Sequence, residues 1–390
     1  MKGILKNRRG AILVFVIISM LALIGLAGLV IDVGQMYVAY NELKIAADAA
    51  SLAGARALRA GCNVNDTTHQ VLEYAGYNQV HGVPVTLWTG SALMPNGETA
   101  RDIQIGTYDA AHVPPFVVFP DIHPTLPYNA VMVTARKSEF FPDGSGNPTG
   151  AMETFLIKAL GLGATGVDLN HIDLYASSRV KYEQMDIVIV QDLSGSMLWQ
   201  DVTPIGGGPA IRRVDAARSA LLNLVDSLQP NCGGDNGYQI GFVTFAGNSA
   251  IVRYILSPLA PLNTNFDVLH STIENIVTPV NTGGGTPTDQ GINAAVNELM
   301  AHARTNNRAI FLFTDGQPNS FSNTNNAADN AYAQGISIYT IYTGPAGGAG
   351  QTQNAQIARP QDGQHAFAAN DQATLNAVIQ GLIAIRLTSW

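Results

Sequence analysis

The feature that most constrains this chain is an uncharged apolar run near its start. The run covers residues 11–31 and reads AILVFVIISMLALIGLAGLVI, which is 21 residues without a charged side chain. A helix needs about 20 such residues to cross the hydrocarbon core of a bilayer. No later stretch of the chain is as long and as apolar. The sequence therefore predicts one transmembrane helix and a lipid bilayer as a partner.

The charges on the two sides of this run predict its orientation. The first ten residues carry two lysines, two arginines and no acid, and positively charged flanks stay in the cytoplasm. Subtracting this charge of +4 from the formal net charge of −8 leaves −12 for the remainder. An acidic remainder suits a soluble extracytoplasmic body. The chain also lacks the basic footprint of a nucleic-acid-binding protein. We therefore expect no nucleic acid as a partner.

A cleaved signal peptide is the alternative to a membrane anchor. Gly25 and Ala27 are small residues at the spacing that a signal peptidase accepts. The apolar run exceeds the usual signal core of about 7 to 15 residues, however, which favours the anchor. Residues 33–59 contain no proline and are rich in alanine and leucine, so the helix should continue to about Arg59.

Small residues line two faces of this predicted extension. At four-residue spacing they are Ala46, Ala50 and Gly54 on one face, and Ala49, Ala53 and Ala57 on a neighbouring one. Such faces allow close helix packing in a membrane protein. Packing against the protein's own sheet would use them equally well.

The N-terminal sixty residues resemble a known family. A basic stretch ends in Arg8-Arg9-Gly10, and Asp32 follows the apolar span. An alanine-rich run comes next, with Leu43, Ala46, Ala47, Asp48, Ala49, Ala50, Leu52, Ala53, Gly54 and Ala55. This arrangement resembles the N-terminus of the TadE/TadG-like proteins of tight-adherence (Flp) pilus systems. The resemblance implies an envelope protein whose partners are pilus assembly components.

One position departs from the pilin-like members of such systems. Those members are cut after a glycine that is followed five positions later by glutamate, and the position counted from Gly10 holds Phe15. This departure argues against processing of the same kind here.

The middle segment, residues 61–183, has short apolar runs between many prolines, glycines and aromatic residues. Its β-branched and aromatic enrichment predicts strands, at residues 102–108, 116–119, 130–137 and 172–182. An outer helix is expected at residues 154–162. A long helix followed by a small sheet is a pilin-like α+β plan, which the TadG resemblance also implies. The histidines of this segment lack zinc-like spacing, and we assign no activity to it.

Strands and helices alternate from Met185 to the end of the chain. The predicted strands are residues 186–191, 238–245, 309–313 and 336–342, and the predicted helices are residues 212–228, 266–276, 289–303, 327–334 and 375–385. Such alternation predicts an α/β fold with a mainly parallel sheet wrapped by helices. Ligands of such sheets bind at the carboxyl ends of the strands.

Oxygen-bearing side chains fall at those strand ends. Asp192, Ser194 and Ser196 follow the strand DIVIVQ directly, at alternate positions. Thr286 lies in GGGTPT before a predicted helix, and Asp315 follows the strand at residues 309–313. Oxygen ligands suit Mg²⁺, with Ca²⁺ or Mn²⁺ possible, whereas the absence of His and Cys argues against zinc or copper. The alternative is that these segments are only strand-ending turns.

These five residues, in this order, resemble the metal-ion-dependent adhesion site (MIDAS) of the von Willebrand factor A (VWA) family. The resemblance covers about 200 residues. It implies that the first four residues touch the metal directly or through water, and that Asp315 acts through water. Since hydroxyl ligands do not neutralise the metal, the cation can accept an acidic oxygen, so we expect a protein partner that offers an acidic side chain.

Enzymatic functions fit the same residues less well. A phosphatase of the haloacid-dehalogenase type needs a second aspartate two positions after the first, and Ser194 occupies that position. A phosphate loop needs a lysine after its last glycine, which GGGTPT lacks. We therefore predict that the protein is not an enzyme.

The connection after the predicted metal loop, residues 198–209, is longer than the compact one common in the VWA family. It should border the metal face, so Trp199 and Ile205 are candidate contacts for a partner. Burial of Trp199 is the alternative.

Cys62 and Cys232 are the two cysteines of the chain. They lack metal-ligand spacing, and in an oxidising compartment they could pair. A disulfide would tie the end of the long helix to the loop after the first C-terminal helix. The sequence leaves open whether their Cα atoms approach within about 7 Å.

Together these features predict three parts. Residues 1–60 would form a basic stub, the transmembrane helix at about 11–31 and its extension, residues 61–183 the pilin-like segment, and residues 184–390 the VWA domain. We expect a single-pass inner-membrane protein of a bacterium, with a cytoplasmic N-terminus, that serves pilus assembly, anchoring or surface adhesion. A membrane-anchored VWA chaperone or scaffold unrelated to pili is the alternative, and a metal-dependent phosphohydrolase is a distant one.

Overall fold

The structure is a computed structural model, which describes most of the chain. The described residues are 8–90, 92–93, 99–121, 126–137, 150, 152–154, 171–229, 232, 234–258, 265–276, 285–369, 371–383 and 387–389. The helix expected at residues 154–162 lies outside them, except for Thr154.

Helices occur at both ends of the described chain. They are α1 (Arg8–Arg59), α2 (Val64–Gly76), α3 (Arg213–Leu228), α4 (Asn265–Glu274), α5 (Thr288–His302), α6 (Phe321–Ala333), α7 (Ala349–Ile357) and α8 (Gln372–Ile383). Of these, α1 is long and apolar enough to cross a membrane, and its large apolar side chains between Ile12 and Ile31 are exposed.

Strands fill the middle and C-terminal parts. Those of the middle part are β1 (Gln79–Val80), β2 (Val83–Pro84), β3 (Ala92–Leu93), β4 (Thr99–Ala100), β5 (Ile103–Tyr108), β6 (Phe116–Val118), β7 (Ala130–Lys137), β8 (Met152–Glu153), β9 (His171–Ile172) and β10 (Leu174–Tyr182). Those that follow are β11 (Asp186–Asp192), β12 (Gln200–Val202), β13 (Ile211–Arg212), β14 (Gln239–Ala246), β15 (Ser249–Pro258), β16 (Arg308–Thr314), β17 (Ile336–Thr343), β18 (Ala366–Ala369) and β19 (Leu387–Ser389).

The outer half of α1 packs on an antiparallel sheet. The strand order of this sheet is β19-β10-β7-β5-β6, and α1 contacts β7, β10 and α2. Ala46 and Ala50 are fully buried, and a Cβ atom added to Gly54 would lie 2.6 Å from Val71 Cγ2 and 3.1 Å from Val131. Small residues on this face therefore let α1 approach the protein's own sheet and α2.

The last strand of the chain belongs to this middle sheet. β19 pairs antiparallel with β10, in the register Val180 with Ser389 and Tyr182 with Leu387. This pairing differs from the expected layout, in which every residue from 184 onward forms the C-terminal domain.

The C-terminal part contains a six-stranded sheet with the order β15-β14-β11-β16-β17-β18. Its strands are parallel except β15, which pairs antiparallel with β14 at one edge. Helices α3, α4 and α8 cover one face, and α5, α6 and α7 cover the other. Because both faces are covered, β11 is buried along its whole length, as expected for a central parallel strand.

A glycine turn follows α1, and the next residue, Cys62, links the helix to the C-terminal part. Gly61 has a φ of 72°, and the N–H of Cys62 donates to Ala57 O at 3.0 Å, which closes the helix in the manner of a Schellman cap. Cys62 is disulfide-bonded to Cys232 with a Cα–Cα distance of 4.6 Å. The backbone N–H groups of Cys232 and Gly234 also donate to the carbonyls of Ala60 and Gly61, both at 2.9 Å.

Candidate metal centre

The candidate centre lies where β11 and β16 end side by side. These strands are parallel neighbours, with Gln191 opposite Phe313, so their carboxyl ends meet at the same edge of the sheet. Asp192 is the last residue of β11, and Asp315 follows β16 directly. A short 3-10 helix, Gly195–Leu198, turns the chain after Asp192 and returns the two serines toward it.

Four of the five predicted ligands form one hydrogen-bonded chain. Asp192 Oδ1 accepts from the backbone N–H of Ser194 at 2.7 Å, and the hydroxyls of Ser194 and Ser196 lie 3.1 Å apart. The Ser196 hydroxyl donates to Asp315 Oδ1 at 2.8 Å. Thr314, which the sequence did not single out, donates to Asp192 Oδ2 at 2.6 Å.

Thr286 is brought to the same place from the loop before α5. Its backbone N–H donates to Asn319 Oδ1 at 2.7 Å, which fixes the loop. A Cβ atom added to Gly316 would lie 3.6 Å from Ser196 Oγ and 3.7 Å from Thr286 Oγ1. Gly316 therefore lies near both hydroxyls, and the structure brings all five predicted residues together.

A buried arginine, which the sequence analysis did not single out, completes the centre. Arg213, the first residue of α3 and only 2% exposed, donates through Nη1 to Asp315 Oδ2 at 2.7 Å. Its Nε donates to Asp201 Oδ1 at 2.8 Å, and its Nη2 donates to the other oxygen of Asp201. One guanidinium group therefore joins Asp315 to a carboxylate on β12.

Comparison with family models identifies the C-terminal part. The model described as von Willebrand factor type A domain matches residues 186–381, half of the chain. The chain belongs to the von Willebrand factor type A domain family. A second model, described as putative Flp pilus-assembly TadE/G-like, matches residues 10–57. The predicted combination of a TadG-like N-terminus with a VWA domain is confirmed, as is the α/β fold class.

Solved structures similar to the VWA chain come from diverse organisms. They include proximal thread matrix protein 1 from the mussel byssus, at 18% identity and a TM-score of 0.41, covering 54% of this chain and 49% of that one. The conserved hypothetical protein BatB from Bacteroides thetaiotaomicron has 21% identity, a TM-score of 0.39 and coverages of 51% and 97%. The vWF domain of the type V pili tip protein Mfa5 from Porphyromonas gingivalis has 16% identity, a TM-score of 0.41 and coverages of 52% and 94%.

The coverage of these relatives is uneven. The chain spans about half the length of the mussel protein. No curated protein matches the chain.

Burial shapes the electrostatics of the VWA centre. Burial and the nearby charge of Asp315 raise the pKa of Asp192 to about 7, against which the hydrogen bonds from Thr314 and Ser194 act. Burial also raises the pKa of Asp315, opposed by the hydrogen bonds from Arg213 and Ser196. A further positive charge close to these two carboxyl groups would stabilise their ionised forms and lower the pKa of both.

The residues present fit a hard divalent cation. The centre offers carboxylate and hydroxyl oxygens, the ligands that Mg²⁺ and Ca²⁺ prefer, and Gly316 leaves space beside two of them. In the described part of the chain, no three His, Cys, Asp or Glu residues are grouped so that they could hold a metal ion among themselves. The five residues of this centre carry three hydroxyls and two carboxylates.

The two residues predicted to contact a partner are both on the surface. Trp199 is 62% exposed and Ile205 is 58% exposed, so the burial considered for Trp199 is not what the structure shows. The Trp199 ring lies against Arg213, whose Cζ is 4.9 Å from the ring centroid. The backbone N–H of Ile205 donates to Gln372 Oε1 at 3.2 Å, which ties this loop to α8.

Proposed function

We propose that this VWA protein is a membrane-anchored binding protein of a tight-adherence (Flp) pilus system. It would hold a protein partner through a divalent cation at Asp192, Ser194, Ser196, Thr286 and Asp315, for pilus assembly, anchoring or surface adhesion. The convergence of these five side chains at the ends of two parallel strands carries the proposal. The TadE/G-like match at residues 10–57 supports its place in a pilus system.

The chemistry of the centre favours Mg²⁺ as the cation. Mg²⁺ is bound in proteins by one or two carboxylates together with water and other oxygens, which corresponds to Asp192, the hydroxyls and Asp315. A cation held in this way keeps positive charge. Because of this remaining charge, the cation favours a partner that supplies an acidic oxygen.

The anchor and its orientation follow from the N-terminal part. α1 would cross the inner membrane once and place the VWA domain outside the cytoplasm, because the basic residues lie before the apolar run. A membrane-anchored VWA scaffold unrelated to pili would use the same centre with a different partner. Capture of envelope proteins with and without Mg²⁺ separates the two: enrichment of pilus components supports the first function.

The metal centre is tested by loss of its buried carboxylate. In the full chain in detergent, Mg²⁺ at 100 times its Kd should raise the free energy of unfolding by about 2.7 kcal/mol. Asp192→Ala should keep the helix and sheet content but lose this gain and the Mg²⁺-dependent capture of the partner. Thermal unfolding followed by circular dichroism, together with the capture assay, measures both effects.

Asp226→Ala provides the matched control for this test. Asp226 lies on α3 with half of its side chain exposed, so its loss should leave the response to Mg²⁺ intact. Asp315→Ala should weaken the response less completely than Asp192→Ala if Asp315 acts through water. An Asp192→Ala protein that gains the same stability from Mg²⁺ as the wild type would refute the assignment of the centre.

A further inference from the structure

Arg213 connects the metal centre to the surface through direct contacts. Its Nη1 donates to Asp315 Oδ2 at 2.7 Å, and the opposite side of the same guanidinium binds both oxygens of Asp201. The planar guanidinium suits such two-sided recognition of carboxylates. Asp315 is buried, whereas about a third of the Asp201 side chain is exposed. The buried arginine therefore lies between a buried carboxylate and one that reaches the protein surface.

Trp199 is held by the same arginine. Its ring stacks on the guanidinium, with 4.9 Å between Cζ and the ring centroid, and its carbonyl accepts from the backbone N–H of Arg213 at 3.1 Å. Most of the ring nevertheless remains exposed to solvent. Together Arg213, Asp201 and Trp199 form a unit, here called the arginine relay, that begins at Asp315 and ends in an exposed aromatic side chain.

We propose that Arg213 is a positioning residue that couples the metal centre to Trp199, so that cation binding alters the surface offered to the partner. This inference rests on the proposed function and identifies which surface of the centre responds. It assigns to Arg213 a role distinct from holding the metal, since a guanidinium cannot be a ligand.

The physical basis is the shared charge of Asp315. Its two oxygens accept from Ser196 and from Arg213, so Asp315 faces the cation site with one oxygen and the arginine with the other. With a cation in the site, Asp315 attracts Arg213 less strongly, and the guanidinium is repelled by a like charge. Burial keeps these interactions weakly screened. Arg213 then pairs more strongly with Asp201, and the environment of the Trp199 ring changes as a result.

Trp199 itself provides the probe for this coupling. The full chain in detergent is titrated with Mg²⁺ after chelation, while tryptophan emission and calorimetric binding are recorded. The chain contains three tryptophans, so Trp199→Phe identifies the part of the signal that belongs to Trp199. We expect a Trp199-dependent emission change whose midpoint equals the calorimetric Kd.

Variants of the arginine relay decide whether Arg213 carries the signal. Arg213→Gln should bind Mg²⁺ in the calorimeter yet lose the emission change, and Arg213→Lys should restore it only partly, since lysine lacks the planar fork. Arg212→Gln is the matched control, because the adjacent arginine pairs with Asp215 at the surface and its loss should leave the change intact. Since Arg213→Gln leaves Asp315 without its buried partner, Asp201→Asn gives a second test that spares the Arg213–Asp315 pair.

The outcomes separate this inference from the proposed function. Mg²⁺ binding to the wild type without any Trp199 response overturns the arginine relay and leaves the metal centre standing. A full response in folded Arg213→Gln or in Asp201→Asn also overturns it. Absence of Mg²⁺ binding to the wild type contradicts the proposed function and the inference with it.

Discussion

Asp192 is a carboxyl group whose surroundings oppose its own charge. Burial and Asp315 raise its pKa from 3.8 to about 7, so the folded, metal-free protein keeps a proton that the unfolded chain releases near pH 4. The free energy of unfolding should therefore fall as the pH rises from about 4 to about 7, by up to ~1.4 kcal/mol per pH unit from this group. Urea unfolding in chelator, compared between wild type and Asp192→Asn, measures this slope.

The comparison isolates Asp192 because asparagine has nearly the same shape and carries no titrating proton. In Asp192→Asn, the pH dependence of the free energy of unfolding should lack the contribution of residue 192. Since a metal ligand must be deprotonated, Mg²⁺ affinity should rise over the same pH window. Superimposable stability profiles for the two proteins in chelator would contradict a raised pKa for Asp192.

Gly316 is expected to matter for the space it leaves. In Gly316→Ala the new Cβ would lie 3.6 Å from Ser196 Oγ and 3.7 Å from Thr286 Oγ1, which is an ordinary contact distance and should cost little stability. The methyl group would, however, lie next to two predicted ligands. We expect Mg²⁺ affinity to fall roughly tenfold, as measured by calorimetry, with an unchanged melting temperature in chelator. An unchanged affinity would show that this space is not used by the cation.

At the scale of residues, the sequence indicated which polar side chains meet at the strand ends better than it indicated the residues that support them. The five predicted ligands were recognisable because each follows or precedes a regular element in a polar, glycine-bearing turn. Thr314 is the last residue of β16, and the sequence does not mark its hydroxyl as a support for Asp192. Arg213 is next to Arg212, so nothing in the sequence indicates which arginine turns inward. The structure assigns the inward position to Arg213, which is buried against two carboxylates.

The packing of α1 depends on a close approach at Gly54. A side chain there would meet Val71 and Val131 at 2.6 Å and 3.1 Å, so Gly54→Leu should lower the free energy of unfolding by about 1–3 kcal/mol, the usual cost of overpacking. Gly34→Leu on the same helix is the control, since nothing lies within 4 Å of that position. Chemical unfolding in detergent compares the two; equal stability would mean that α1 does not pack on the sheet at Gly54.

At the scale of elements, segments with strong apolar patterns were predicted correctly, and a segment with a weak pattern was missed. The buried strands β11, β16 and β17 lie within one residue of their predicted bounds, because continuous apolar runs mark fully covered strands. α2 was missed because only Thr67, Val71 and Ala75 of its residues are buried. Its start was nevertheless signalled by Asn63, whose side chain accepts from the N–H of Asp66 at 2.9 Å.

The whole molecule is tied together by Cys62 and Cys232, which are separated by 170 positions in the chain. If the VWA domain lies outside the cytoplasm, both thiols should resist alkylation in intact cells until a reductant is added. Replacing both by serine should lower the free energy of unfolding by about 2–5 kcal/mol, because a long loop is no longer closed in the unfolded state. Free thiols in freshly isolated envelopes would argue against both the pairing and the proposed orientation.

At the scale of the whole chain, the sequence indicated the parts but not how they connect. The apolar run and the alternating strands were sufficient to predict a helix of membrane-spanning length and the VWA domain. The return of β19 to the middle sheet could not be foreseen, because three residues with the sequence LTS carry no periodicity and their partner is almost 210 positions earlier in the chain. Long-range pairings of this kind depend on tertiary packing alone.

The position of the disulfide sets a path for mechanical load. α1 is continuous over 52 residues, roughly 78 Å at 1.5 Å per residue, and its end is bonded through Cys62 to the loop after α3, the helix that Arg213 begins. On the proposed function, tension applied by a partner at the metal centre would reach α1 through α3 and the disulfide, and would pass through α1 to the membrane. This route does not run through the strands of the antiparallel middle sheet.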